Sequence, residues 1–260
     1  MAYERKFKIG KPILEVNNIS LSFGGVKAIT DTSFNVLEHE VRAIIGPNGA
    51  GKSSMLNCIN GIYKPQQGTV SFRGQQIENI TPNIMAQMGL SRTFQNLALF
   101  KRMSVLDNIL VGRKLHTKTN FLEVALQLPK VKKEEKLNRD RSEEIISFLE
   151  IEDIKDTPVG KLPYGLQKKV ELGRALATDS TIILLDEPMA GMNVEEKRDM
   201  CRFILKVNDE VIVHHNIFRR FYGMNGIDKY GSSFFQENKY FCYIDQIFLY
   251  KRNNEWKTIE

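Results

Sequence analysis

The stretch Gly46-Pro47-Asn48-Gly49-Ala50-Gly51-Lys52-Ser53 fits the pattern GxxxxGK[ST]. These residue types at this spacing suit one task, which is wrapping a phosphate chain. The glycines let the backbone curl until successive N–H groups face one anion. The helix expected to follow, with Ser54 in its first turn, adds its positive end. Lys52 is placed to reach the β- and γ-phosphates and Ser53 to ligate Mg²⁺. With glycine near 7% of residues, chance supplies such a match in about one chain of this length in a hundred. A bland glycine turn before a helix is therefore a weak alternative.

A second signal is "TIILLDEP", residues 181–188, an apolar run ending in two acids. Asp186 is placed to hold Mg²⁺ through water, and Glu187 to polarise an attacking water. An acidic strand end by itself reads as a turn. Beside a phosphate loop on a neighbouring parallel strand it reads as catalysis, here nucleotide hydrolysis.

The elements that must position these residues are legible. "ILEVNNISLSFGG" and "AITDTSFNVLEHE" read as two early strands, and "GTVSFRG" as another. "VRAIIGPNGAGKSSMLNCINGI" reads as a short buried strand, the loop and a helix stopped at Gly61. In "TPNIMAQMG" Thr81 is the N-cap, Pro82 the first helical residue and Gly89 the stop. "SVLDNILVGRKL" has a helical apolar stripe, with Ser104 and Asp107 fitting a capping box. The charge-rich "LPKVKKEEKLNRDRSEEIISFLEIEDI" predicts an amphipathic helix over its second half, its charges on a solvated face. "YGLQKKVELGRALATDS" and "VEEKRDMCRFILKVNDE" read as helices on either side of the acidic strand. The expected architecture is α/β, with a core over 8–94 and 163–210 interrupted by a helical subdomain over 95–162.

Composition bounds the rest. At 260 residues, 42% hydrophobic and 26% charged, the chain is of the ordinary globular class. No apolar run approaches the ~20 residues of a membrane span, and the first residues have no signal-like apolar core. A cytoplasmic protein is expected. Cys58, Cys201 and Cys242 are odd in number and far apart, which fits buried free thiols. The net charge of +6 is compatible with solubility or an anionic membrane face. No motif of a nucleic-acid module accompanies it, so no nucleic-acid partner is expected.

With these motifs in order, the chain resembles the ATP-binding cassette (ABC) ATPases over roughly Pro12 to Val207. "SRTFQN" supplies a glutamine, Gln95, opening the helical insert, and "LPYGLQKK" stands where the family has its signature. Phe23 in "LSFGGVKA" stands where an aromatic stacks on adenine, and "PMAGMN" ends the loop after the glutamate at Asn193. Individually Gln95 is an ordinary loop residue, Phe23 a core aromatic and Asn193 a helix N-cap.

The resemblance is closer still to the G-type ATPase subunit of high-affinity branched-chain amino acid importers. It implies a P-loop NTPase (RecA-like) core with an N-terminal antiparallel β subdomain, and ATP with Mg²⁺ as cofactors. Gln95 would join Ser53 and Asp186 around Mg²⁺ and Glu187 in catalysis. Tyr164, Gly165 and Gln167 would contact the ATP of a second subunit. That subunit is either a second copy or a paralogue. The pair would dock on two membrane permeases at the inner face of the cell membrane, fed by a periplasmic binding protein. The signature departs from the common one. Pro163 replaces the serine whose hydroxyl meets the γ-phosphate, so the contact must rest on backbone N–H groups near Gly165. Leu166 is also unusual.

From Val211 the character changes. Residues 211–260 hold 12 of the 24 aromatics, no alanine, no proline and one leucine. The family's switch histidine is expected here, and His214 and His215 are the candidates. They lie several residues early and lack the usual preceding Glu or Thr. Two readings stand: a diverged tail in which one histidine still serves, or a coding frame lost near Glu210. Three functional classes follow. They are an importer ATPase, a soluble ABC ATPase unconnected with transport, and a tail-damaged cassette that binds nucleotide without useful turnover.

Overall fold

The computed structural model describes residues 10–38, 40–93, 98–210, 249–252 and 255–257. Gln95, His214, His215 and most of the 211–260 tail lie outside them. The strands are β1 (Pro12–Phe23), β2 (Val26–Leu37), β3 (Ile44–Ile45), β4 (Gln67–Phe72), β5 (Gln75–Gln76), β6 (Leu90–Arg92), β7 (Ile182–Leu184), β8 (Leu249–Arg252) and β9 (Glu255–Lys257). The helices are α1 (Lys52–Ile59), α2 (Pro82–Gln87), α3 (Val105–Gly112), α4 (Phe121–Ala125), α5 (Pro129–Phe148), α6 (Tyr164–Leu176) and α7 (Val194–Glu210). They fall into two compact units, the first running to Met85 and again from Leu184, the second Ala86–Ile183. The expected 95–162 insert lies within the second unit, which also takes in α6.

In the first unit an antiparallel sheet has the order β2-β1-β4-β5. β1 buries Leu14 and Val16, then Ile19 and Leu21, a change of parity that a regular strand cannot make. A bulge resolves it. The register shifts between Val16 and Ile19, and Asn18 sits at φ 51. The Asn18 N–H donates to Ser33 Oγ at 2.7 Å and its side-chain amide to Asp31 Oδ1 at 2.8 Å. One face of β1 thus stays apolar along its length. β1 turns into β2 through Gly24 and Gly25, both at positive φ, which is the two-residue hairpin turn glycine favours. That turn sets Phe23 opposite Val26. β3 pairs in parallel with β8, and β8 antiparallel with β9.

Helix ends follow the sequence signals. After α1 the Gly61 N–H bonds to Cys58 O and the Ile62 N–H to Asn57 O, a Schellman closure around Gly61 at φ 76. A Cβ on Gly61 would sit 2.7 Å from the Thr81 backbone, so only glycine fits. Thr81 Oγ1 accepts from the Ile84 N–H as the expected cap of α2. Before α7, Asn193 and Glu196 exchange side-chain to backbone bonds of 2.9 Å each, a full capping box.

The second unit packs α3, α5 and α6. Gly112 and Gly173 allow close approach: a Cβ on Gly112 would lie 2.3 Å from Arg174 O, and one on Gly173 2.9 Å from Leu149. Ser104 caps α3 by accepting from the Asp107 N–H and donating to its carboxylate. A buried polar clasp joins the helices. Arg113 bonds to Asp179, to Ala177 O and to Asn138 on α5, while Arg141 on α5 reaches Asp179 at 3.0 Å. Burial pushes the Asp179 carboxyl up, but the two guanidiniums outweigh it and hold it below its ordinary value.

One element differs from expectation. α5 is helical from Pro129, so the charged first half of its segment is helix too. Pro129 opens the helix, and its first half presents mostly exposed side chains. Among the described residues no helix is long and apolar enough to cross a membrane.

Candidate functional site

The phosphate loop stands between β3 and α1 as the sequence indicates. Gly49 and Gly51 adopt φ 81 and 83. Gly51 is the more constrained, because a Cβ there would lie 2.3 Å from Ala28 O of β2. The first helical hydrogen bond of α1 runs from the Met55 N–H to Gly51 O at 2.8 Å. The amides of Lys52, Ser53 and Ser54 precede it and lie at the positive end of the helix. Ala50 closes the turn by donating to Pro47 O.

Lys52 is 7% exposed. Its ammonium donates to Gly46 O at 2.6 Å and Pro47 O at 3.0 Å, so the cation is held inside the curl of its own loop. A polar cavity adjoins the loop between Lys27–Thr30 of β2 and Gly49–Ala50. Lys27 among its lining residues is a cation that suits an anionic ligand.

Phe23 ends β1 and is 45% exposed. Its ring meets the Tyr63 ring edge-on, centroids 5.1 Å apart and planes at 73°. An exposed aromatic face braced by a second ring is a surface on which a flat heterocycle stacks. Sequence spacing gave no hint of Tyr63, since the contact depends on the hairpin and the loop after α1 meeting.

Asp186 follows β7 and is 1% exposed. Glu187 beside it is half-buried and adopts φ 48, a left-handed backbone. Ahead of Pro188 the sequence favours extended backbone, so Glu187 is held against its preference. Ser53 and Asp186 are oxygen donors of the kind Mg²⁺ takes, with phosphate oxygens and water completing its shell. Cys58 and Cys201 are buried thiols in no disulfide, and burial pushes the Cys58 thiol up to about 11, away from the thiolate form.

The signature residues lie in the second unit. Pro163 occupies the N-cap position of α6 and makes no side-chain cap bond; Tyr164 opens the helix and is 41% exposed. Gly165 is buried, and Gln167 folds back to donate to Leu162 O at 2.8 Å. Asn193 caps α7 in the first unit.

The chain matches the ABC transporter family over residues 29–190. It belongs to that family. Around this ABC cassette, the branched-chain amino acid transport ATP-binding protein BraF of Pseudomonas aeruginosa is 34% identical over 209 residues, 80% of each chain. The corresponding protein LivG of Escherichia coli is 33% identical over 208 residues, again 80% of each. A crystal structure of a nucleotide-free ATP-binding cassette from an ABC transporter superposes with a TM-score of 0.65 at 34% identity, covering 76% of this chain and 77% of that one. An ADP conformation of such a cassette gives 0.65 at 35% identity, with the same coverage. The cassette therefore has the ABC ATPase fold and its phosphate-loop chemistry.

Proposed function

We propose that the chain is the ATP-hydrolysing subunit of an ABC importer for branched-chain amino acids. The observation that carries this is the phosphate loop closed around Lys52, within a chain one-third identical to BraF and LivG over four-fifths of its length. The loop amides and Lys52 bind the β- and γ-phosphates. Phe23, braced by Tyr63, takes the adenine. Ser53, Asp186 and Gln95 hold Mg²⁺, which neutralises charge on the phosphates. Glu187 orients the attacking water. Tyr164, Gly165 and Gln167 face the nucleotide of a second subunit, a like copy or a paralogue, so that ATP joins the two. The dimer sits on two permeases at the inner face of the membrane, with a periplasmic binding protein on the far side.

The test is turnover of Mg·ATP by the purified chain, with and without its permeases, alongside uptake of leucine, isoleucine or valine into vesicles. Permease-stimulated turnover with ATP-dependent uptake supports the reading. Absence of ATP binding, or co-purification with ribosomes in place of permeases, sinks it. A second reading rests on the composition of residues 211–260, whose aromatic excess and single leucine leave it poorer in aliphatics than a sheet-and-helix core end should be. In it, the frame is lost near Glu210, neither His214 nor His215 is the switch, and the cassette binds ATP but turns it over slowly. An "IEHD"-like segment in a neighbouring reading frame of the gene would support that reading, and its absence refutes it.

A further inference from the structure

α6 carries a polar stripe that its role as a packed helix does not require. Tyr164, Lys168, Glu171 and Arg174 follow at i, i+4, i+7 and i+10, one side of the helix. The Lys168 ammonium lies 6.0 Å from the centre of the Tyr164 ring, in cation–π range. Lys168 and Glu171 pair at 3.1 Å with side chains only 1% and 3% exposed. Glu171 is in turn the electrostatic partner of Arg174, whose guanidinium burial pulls down and Glu171 pushes up. Arg174 donates to Ala98 O. A buried lysine–glutamate pair is a poor source of stability compared with apolar packing. Its presence in mid-helix therefore asks for another reason.

The far end of the stripe meets a second fastening. Asn108 of α3, fully buried, accepts from the Phe100 N–H at 2.9 Å and donates to Phe100 O at 3.1 Å, with further bonds to Met103 O and Ser104 O. Ala98–Phe100 are thus held from α6 by Arg174 and from α3 by Asn108. The two helices are kept at close range by Gly112 and Gly173. In sequence Ala98 is three residues after Gln95.

We infer that the stripe Tyr164–Lys168–Glu171–Arg174 is a positioning device that ties the signature end of α6 to the chain immediately after Gln95. A displacement at Tyr164 is passed through the buried pair to Arg174 and so to Ala98. Lys168, Glu171 and Arg174 act as positioning residues and do not touch nucleotide. The inference deepens the proposed function, since it rests on Tyr164 and Gln95 serving the two nucleotide contacts. It gives one rigid face to two elements that must act together.

The ends of the stripe are ten residues apart, about 15 Å of helix, too far for direct contact. Independent sites at that distance have additive effects. Two measurements on the full chain decide the matter. The first is amide hydrogen exchange at Phe100 without nucleotide. Arg174→Ala is expected to speed it by about tenfold, from loss of a charged hydrogen bond, and Arg174→Lys by less. Tyr164→Leu, an exposed change at the other end, is expected to speed it by about threefold or more. An unchanged Phe100 rate in Tyr164→Leu overturns the proposal, even if Arg174→Ala acts locally. The second is steady-state turnover. Arg174→Ala lowers kcat with KM for ATP nearly unchanged, and Tyr164→Leu/Arg174→Ala is no slower than the slower single variant. Multiplying effects overturn the link. A chain that neither binds nor turns over ATP defeats the proposed function instead, and the exchange measurement still decides the stripe.

Discussion

The phosphate loop of the first unit and the start of α6 in the second both present a helix N-terminus, yet they are built differently. At the loop, the positive-φ glycines, the Ala50 turn bond and Lys52 on Gly46 O and Pro47 O lie within one short segment. At α6, Pro163 offers no cap, and the first turn has no acidic side chain. What fixes that end is side-chain bonding within the helix and the residues just before it, Gln167 on Leu162 O and the buried Lys168–Glu171 pair, while α3 packs closely at the far end, at Gly173. An anion site can be folded locally and be whole, or it can be left open at the end of a well-anchored helix and await a partner's phosphate. The first kind should bind alone. The second should matter only when two subunits meet.

That contrast can be broken in several ways. The largest effect is expected from Glu187→Gln, which should lower kcat by roughly a thousandfold while ATP still binds, since the role proposed for it is to orient the attacking water, with no phosphate contact. Equal losses in binding and turnover, by calorimetry and phosphate release, would mean the acid belongs to the binding loop. Lys52→Ala should weaken ATP binding by about a hundredfold in the isolated chain, the loss of a charged hydrogen-bond donor to phosphate. If that loss appears only in dimers, the loop is not self-sufficient.

Gly165→Asp sharpens the other side. In a Glu187→Gln background it should leave monomer affinity for ATP intact and abolish the ATP-dependent dimer on size exclusion; an unchanged dimer fraction contradicts the assignment of α6. Phe23→Ala should weaken ATP by about tenfold through lost stacking, with tripolyphosphate binding unaffected. Comparable losses for both ligands would place Phe23 in the loop's support.

The smallest effect concerns the clasp of the second unit. The folded Asp179 carboxyl lies below its ordinary 3.8. Its stabilising contribution is therefore present above the unfolded value and is lost as pH falls through the lower folded one. Asp179→Asn should remove about 1–2 kcal/mol at neutral pH, flatten the acid limb of thermal stability below the ordinary carboxylate value, and leave ATP affinity unchanged. A shift in affinity would mean the clasp reaches the phosphate loop.

Local features were legible in the sequence because they rest on local chemistry. Gly51 with Lys52, Thr81 at α2, Ser104 at α3 and Gly61 after α1 all act on residues within a turn or two. The first half of α5 was less legible. Its buried positions are Val131 and Asn138, one apolar and one polar, which hides the apolar period, and Asn138 is inside because it accepts from Arg113. Tyr63 against Phe23 and Arg174 on Ala98 were not visible, because sequence separation carries no record of which loops meet. The character of 211–260 was read from composition, and its residues outside β8 and β9 are not among those described.

One feature of the acidic strand end reaches beyond chemistry. Glu187 is held at φ 48 ahead of Pro188, a conformation worth about 1–3 kcal/mol of strain. Glycine would relax it and remove the proposed catalytic carboxylate in the same step. Selection for heat resistance and selection for turnover therefore pull in opposite directions at this codon. A lineage freed from the need to pump would be expected to lose the carboxylate there early, gaining a sturdier but idle protein.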